Sequence, residues 1–182
     1  MSFQTIRRPS ASGSQSARSV TVRRASRADL PALERIEAES FSGDRLSPRS
    51  LRTLIARPSA SVLVAQLGAE VVGSVIVLYR RTASVGRLYS LAVEPRARGL
   101  GVAVKLLGAA EEDAVSRRQS AVRLEVRADN AAAIALYDRA GYRISGRRTN
   151  YYQDGETALL FRKTLAPQKA AASVARAAAA AR

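Results

Sequence analysis

Glu125, Asn130 and Tyr137 place a carboxylate, an amide and a phenol in one short stretch, Leu124-Glu-Val-Arg-Ala-Asp-Asn130 running into Ala131-Ala-Ala-Ile-Ala-Leu-Tyr137. The chain has no histidine and no cysteine. Imidazole bases, disulfides and thiolate metal sites are therefore excluded, and proton transfer falls to Glu, Asp, Tyr, Lys or water. The set suits acyl transfer to an amine. The amine must lose a proton to attack a thioester, and a carboxylate takes it, directly or through water. The departing thiolate must gain one, and a phenol gives it. Each such role contributes ~10²–10⁴ in rate. Read singly, each residue has a plainer alternative. Glu125 also reads as a solvated strand residue paired with Arg123 or Arg127, Tyr137 as a helix-to-core aromatic, and Asn130 as an N-cap.

A second segment, Arg98-Gly-Leu-Gly-Val-Ala103, follows a strand and opens an amphipathic helix. Free N–H groups and the dipole at a helix start attract anions, and glycine lets the backbone approach a phosphate closely. Two registers fit, Arg98-x-x-Gly101-x-Ala103 and Arg96-x-x-Gly99-x-Gly101. The first is preferred because it puts Leu106 and Leu107 on the buried helical face. No Gly-Lys-Ser/Thr follows, so this is not a nucleotide-triphosphate loop. The preceding strand does not open a βαβ repeat, which argues against a dinucleotide fold.

These segments need a sheet and helices to position them. Val20 to Arg24 reads as a strand. Asp29 caps a helix with Pro31 in its first turn, and Leu30, Leu33, Ile36 and Glu37 follow helical spacing. Ser47-Pro-Arg-Ser-Leu starts another helix. Ser61 to Leu67 and Glu70 to Tyr79 form a hairpin. Ser84 to Val93 is a strand ended by Glu94-Pro95, Gly101 to about Arg118 a helix, and Ala121 to Val126 an alternating strand. Asn130 to Ala140 is a helix ended by Gly141. Arg143 to Tyr152 and Glu156 to Leu165 form a last hairpin around Asp154-Gly155. The class is α/β (α+β), with a mixed sheet, hairpins at both ends and helical crossovers in the middle.

The 182 residues suffice for one domain with a sizeable core, and the 47% hydrophobic content is that of an ordinary globular protein. No apolar run approaches the ~18 residues that span a bilayer. Residues 1–19 are Ser- and Arg-rich without an acid and read as a disordered basic tail. They also resemble a transit peptide, but no clear amphipathic face emerges. Residues 166–182 read as an Ala-rich basic tail, leaving a domain over 20–165. The location expected is cytoplasmic. Net charge is +15, with only Lys105, Lys163 and Lys169 as lysines. Two explanations stand: an arginine-rich composition, or a polyanionic partner such as nucleic acid.

The stretch Leu124 to Tyr142, followed by Asn150-Tyr-Tyr152 and Asp154-Gly155, resembles the GNAT superfamily of acyl-CoA N-acyltransferases. It looks most like the branch of ribosomal-protein alanine N-acetyltransferases (RimI type), over about Val20 to Leu165. The resemblance implies a GNAT fold of about six or seven strands splayed between strands 4 and 5, with about four flanking helices. It implies acetyl-CoA as cosubstrate and no metal. Glu125 matches the family's general base and Tyr137 its general acid. Asn130 matches a cofactor contact. Leu91, Ala92 and Val93 match the splayed strand that pairs with the pantetheine arm. Arg98, Gly99, Leu100, Gly101, Val102, Ala103 and Val104 match the pyrophosphate loop. Tyr151 and Tyr152 match the hairpin beside the acceptor peptide. Two departures stand out: Ser40 to Ser47 lacks the Phe-Pro-Trp-like element of that branch, and the segment from Tyr152 to Ala158 looks shortened.

The implied activity is acetyl transfer from acetyl-CoA to a primary amine, foremost a protein or peptide α-amine, such as that of a ribosomal protein, in a ternary complex. A small-molecule or antibiotic acetyltransferase is the alternative on the same fold. A basic ribosome- or RNA-associated protein using the fold as scaffold is the alternative from another class. No membrane partner is expected.

Overall fold

The computed structural model describes residues 19–40 and 45–165. The two expected tails lie outside the described residues, apart from Ser19, as does the middle of the Ser40–Ser47 segment. Seven strands form one sheet in the order β1-β2-β3-β4-β5-β7-β6. They are β1 (Val20–Arg24), β2 (Ala60–Leu67), β3 (Glu70–Leu78), β4 (Val85–Val93), β5 (Ala121–Arg127), β6 (Arg143–Arg148) and β7 (Ala158–Thr164). Four α-helices accompany them: α1 (Leu30–Ser40), α2 (Pro48–Ala56), α3 (Val102–Ser116) and α4 (Ala131–Arg139).

The sheet is buried on both faces only in part. On one face α3 lays Leu106, Leu107 and Ala110 against Val75, Val77 and Leu88, and Leu136 and Tyr137 of α4 join the same core. On the other face α1 and α2 pack Leu33, Ile36 and Leu51 against Val62, Val64, Ile76 and Ala92. Strands β2 and β3 lie between the two layers, so they read as continuous apolar runs rather than alternating ones. Gly73 on β3 allows this closeness. A Cβ there would stand 3.0 Å from the Ala92 carbonyl and 3.1 Å from Val102, the first residue of α3.

All pairings are antiparallel except β4 with β5. That parallel pairing covers only Val85↔Ala121, Gly86↔Val122 and Arg87↔Arg123. Beyond Arg87 the strands part, while β4 stays paired with β3 to Val93 and β5 with β7 to Arg127. The splay expected between strands 4 and 5 is this gap.

Two expected element ends move. Asp29 is not the cap of α1; it ends a 3-10 turn capped by Ser26. Its carboxylate accepts from the Ser26 N–H at 2.7 Å and from Arg23 at 2.7 and 2.8 Å. The last hairpin is looser than its apolar pattern implies. Strands β6 and β7 stop at Arg148 and Ala158. Asn150 and Gly155 take positive φ, and the Tyr151 and Tyr152 N–H groups both donate to the Glu156 carbonyl. The two tyrosines therefore sit in the connection, not on a strand.

Candidate active site

The gap between β4 and β5 opens into a cleft of about 780 Å³. Its wall joins Glu125 from β5, Asn130 and Tyr137 from α4, Leu91 from β4, and Tyr151 and Tyr152 from the hairpin connection. Alternation on β5 drives Val122, Leu124 and Val126 into the core and turns Arg123, Glu125 and Arg127 the other way.

Glu125 does not dangle in solvent. Its side chain is 7% exposed, and both oxygens are held: Arg87 donates to Oε2 at 2.9 Å and Arg123 to Oε1 at 3.0 Å. The pairing with Arg123 that sequence allowed is present, yet the carboxylate still lines the cleft. Arg127 turns instead to Asp129 and Asp154.

Tyr137 is buried, with its ring edge-on to Tyr142 at 5.6 Å and tilted over Phe161 at 6.1 Å. Burial pushes its phenol well above the ordinary value of 10.0, so it stays protonated at neutral pH and can donate. It is both a core aromatic and a cleft residue. Asn130 is likewise an N-cap: its Oδ1 accepts from the Ala133 N–H at 3.0 Å. That bond fixes the α4 start beside the cleft.

Strand β4 carries a bulge. Ile76 pairs with Ser90 and Val77 with Leu88, leaving Tyr89 unopposed. Ala92 is buried and Val93 half-buried, and neither lines the cleft. Their backbone continues along the side that β5 has left.

Residues 98–104 form a separate feature beyond the far end of β4. Gly101 caps α3 in the left-handed region, φ 75°, and Gly99 has φ 77°. A Cβ at either would meet nothing within 4 Å, so the space above the loop is open. Among the described residues no hydrogen bond takes the N–H of Gly99 through Val104; the first helical bond is Lys105 N–H to the Gly101 carbonyl, 3.1 Å. Such a row of free donors fits a pyrophosphate. Arg98 donates only to the Val93 carbonyl, at 3.4 Å. Arg96, the first residue of the competing register, is held by Glu94 and Glu70 at 2.7 and 2.8 Å. Val102 is buried, whereas Leu100 and Val104 are 54% and 62% exposed beside the loop.

One cleft carboxyl went unassigned in the sequence. Glu37 of α1 is 3% exposed and lines the cleft opposite Glu125's strand. It accepts from the Leu46 N–H at 3.1 Å and the Ser90 hydroxyl at 3.4 Å. Burial raises it above the ordinary 4.5, against the pull of those two bonds. The signal was legible: Leu33, Ile36 and Glu37 share one helical face, so a carboxyl occupied a core position. Arg87 gave no such signal, because its role depends on β4–β5 register.

Among the described residues no cluster of acids could hold a metal ion and no helix is long and apolar enough to cross a membrane.

The profile of the acetyltransferase (GNAT) family matches residues 30–142. The N-alpha-acetyltransferase RimI of Mycobacterium tuberculosis is 32% identical over 142 residues, covering 74% of this chain and 85% of that protein. The catalytic subunit NAA10 of the N-terminal acetyltransferase A complex of Arabidopsis thaliana is 32% identical over 151 residues, covering 80% and 78%. The solved ribosomal-protein-alanine N-acetyltransferase of Brucella melitensis superposes with a TM-score of 0.71 at 26% identity, covering 80% of this chain and 99% of that one. With its splayed mixed sheet, open glycine cradle and carboxylate–phenol cleft, the chain belongs to the GNAT family of acetyltransferases.

Proposed function

We propose that this acetyl-CoA-dependent N-acetyltransferase acts on the α-amine at a protein or peptide N-terminus, a ribosomal protein being one candidate, in the cytoplasm. The observation that carries the reading is the pair of exposed tyrosines on the acceptor side, against which a peptide chain can lie. Tyr89 and Tyr151, 45% and 37% exposed, line the cleft with Arg87, which donates to the Tyr151 hydroxyl at 3.3 Å. The likeness to RimI and NAA10 supports it.

The cosubstrate supplies an activated acetyl thioester. The free N–H groups from Gly99 to Val104, with Arg98 at the edge, hold its pyrophosphate, and the unpaired edge of Leu91, Ala92 and Val93 lines its arm. Asn130 contacts it from the α4 start. On the acceptor side Tyr151 and Tyr152 seat the peptide. Glu125, oriented by Arg87 and Arg123, takes the amine's proton directly or through water. Glu37, held high by burial, is a second carboxyl able to receive it. Tyr137 returns a proton to the leaving thiolate. Transfer is direct, from thioester to amine.

A peptide array varying the first residue, incubated with acetyl-CoA, tests the reading. Acetylation confined to N-terminal amines supports it. Turnover of free amines or aminoglycosides with none on the array would overturn it and favour a small-molecule enzyme.

A further inference from the structure

The half of the sheet that α1 and α2 leave uncovered carries a row of like charges. On that face Arg87 of β4 pairs with Arg123 of β5, which pairs with Arg162 of β7, which pairs with Arg143 of β6. The row crosses four strands. The next row on this face runs Glu125, Leu160, Gly146, and the one beyond it Arg127, Ala158, Arg148. The core beneath α1 and α2 takes no residue from β5, β6 or β7 among those described. Alternation fixes the facing: Leu159 and Phe161 go into the core under α3 and α4, and Arg162 stands exposed between solvent and sheet.

Like charges directly opposite on a sheet are destabilising. The row is only partly neutralised. Arg87 and Arg123 share Glu125, and Arg143 turns back to Asp138 at 2.8 Å. Arg162 has no ion pair among the described residues, and Arg148 meets only the Tyr151 ring, 5.8 Å from its centroid. The remaining positive charge, on Arg162 of β7 and Arg148 of β6, lies outward from Arg87, which lines the cleft and donates to Tyr151 at 3.3 Å.

We propose that this face binds an acidic segment of the acceptor polypeptide, a few residues after the amine that is acetylated. This rests on the reading of the acceptor as a protein N-terminus. Strands lie ~4.8 Å apart, so Arg162 is roughly 10 Å outward from Arg87. An extended chain covers that in about three residues, which places the acidic side chains near the third to sixth positions. The face offers a single-stranded nucleic acid little. Leu160, Gly146 and Ala158 lie between its arginines, so among the described residues no run of aromatic rings follows the row; the exposed Tyr89 and Tyr151 line the cleft.

The test uses the full chain and two decapeptides with the same first two residues, one with Asp and Glu at positions three to six and one with Ser and Gln there. Acetylation rates give kcat/KM, and fluorescence anisotropy of the labelled peptides gives binding without turnover. Several exposed charge contacts together supply roughly tenfold preference for the acidic peptide at low salt, carried in KM and lost at high salt. In the double variant Arg148→Ser/Arg162→Ser the preference falls towards one, and Arg162→Glu favours a Lys-substituted peptide instead. Equal kcat/KM and equal binding of the two peptides by the native chain would overturn the proposal. If neither peptide is acetylated, the reading of the acceptor fails. Anisotropy still judges the face: tighter binding of the acidic peptide, weakened in the double variant, upholds it. Binding of an RNA oligonucleotide that the double variant loses, with no preference between peptides, would assign the face to nucleic acid and overturn the proposal.

Discussion

At the scale of single residues, the cleft holds two carboxyls in opposite surroundings. Glu125 is clamped by two guanidiniums, whereas Glu37 is buried and, among the described residues, accepts from the Leu46 N–H and the Ser90 hydroxyl. Glu125→Gln keeps the shape and removes the proton acceptor. Its kcat should fall by ~10²–10⁴ with acetyl-CoA affinity nearly unchanged, measured by steady-state kinetics beside calorimetry. Unchanged turnover would remove Glu125 from proton transfer. Glu37 gives a different signature. Its carboxyl lies above the ordinary 4.5, so activity that needs its anion is lost as pH falls through that raised value. Glu37→Gln should abolish this acidic limb of the kcat/KM profile. The folded state also resists ionising a buried acid. Stability tied to Glu37 is therefore full below its unfolded value and declines as pH rises through the folded one. Of these residues, Glu125 and Tyr137 were legible from type and spacing within one strand–helix unit. The core position of Glu37 was legible from helical spacing, but that α1 turns it towards the cleft is not encoded locally.

At the scale of elements, the glycine loop and the start of α3 act as one device. Gly73 brings α3 close to β3, and Gly101 ends the loop in the left-handed region with free N–H groups beyond it. Gly101→Glu sets a side chain and a negative charge in the open space and adds ~1–2 kcal/mol of backbone strain. Coenzyme A binding, followed by calorimetry, should be lost while circular dichroism keeps the native spectrum. Normal binding would refute the register that begins at Arg98. The strands and helices around this loop followed from hydrophobic period and breakers, because each amphipathic face has a layer to meet. The ends that moved were those where side chains compete with the backbone. Ser26 and Asp29 cap each other through Arg23's neighbourhood, and Asn150 and Gly155 open the hairpin. Such choices depend on polar side-chain partners three and six residues away or on one positive φ, and apolar alternation is blind to both.

At the scale of the whole molecule, Asp113 on α3 ties the open ends of the antiparallel half together. It accepts from the Ser61 and Tyr79 hydroxyls at 2.5 and 2.7 Å and pairs with Arg24 and Arg117. Burial alone would raise its carboxyl, but those hydroxyls and guanidiniums hold it below the ordinary 3.8. Its contribution is therefore full above that value and fades as pH falls through the lower, folded one. Asp113→Asn should cost about 1–3 kcal/mol near neutral pH, read as a lower melting temperature, with the loss shrinking at acid pH. A melting point equal to the native one at neutral pH would count against the tie. Nothing in the sequence singled out Asp113, since its donors come from β1, β2, the end of β3 and its own helix.

The short parallel contact between β4 and β5 has a mechanical meaning. Three residue pairs join a four-stranded antiparallel panel to a three-stranded one, and beyond them the seam is open. A ligand arm lying against the freed edge of β4 would act as a cross-stitch between two otherwise weakly sewn panels. Occupancy would then stiffen the seam itself, slowing amide exchange along Leu88–Val93 and Leu124–Arg127 more than in the panels on either side. The enzyme would be most pliant when empty, with Glu125 on one panel and the glycine loop beyond the end of the other.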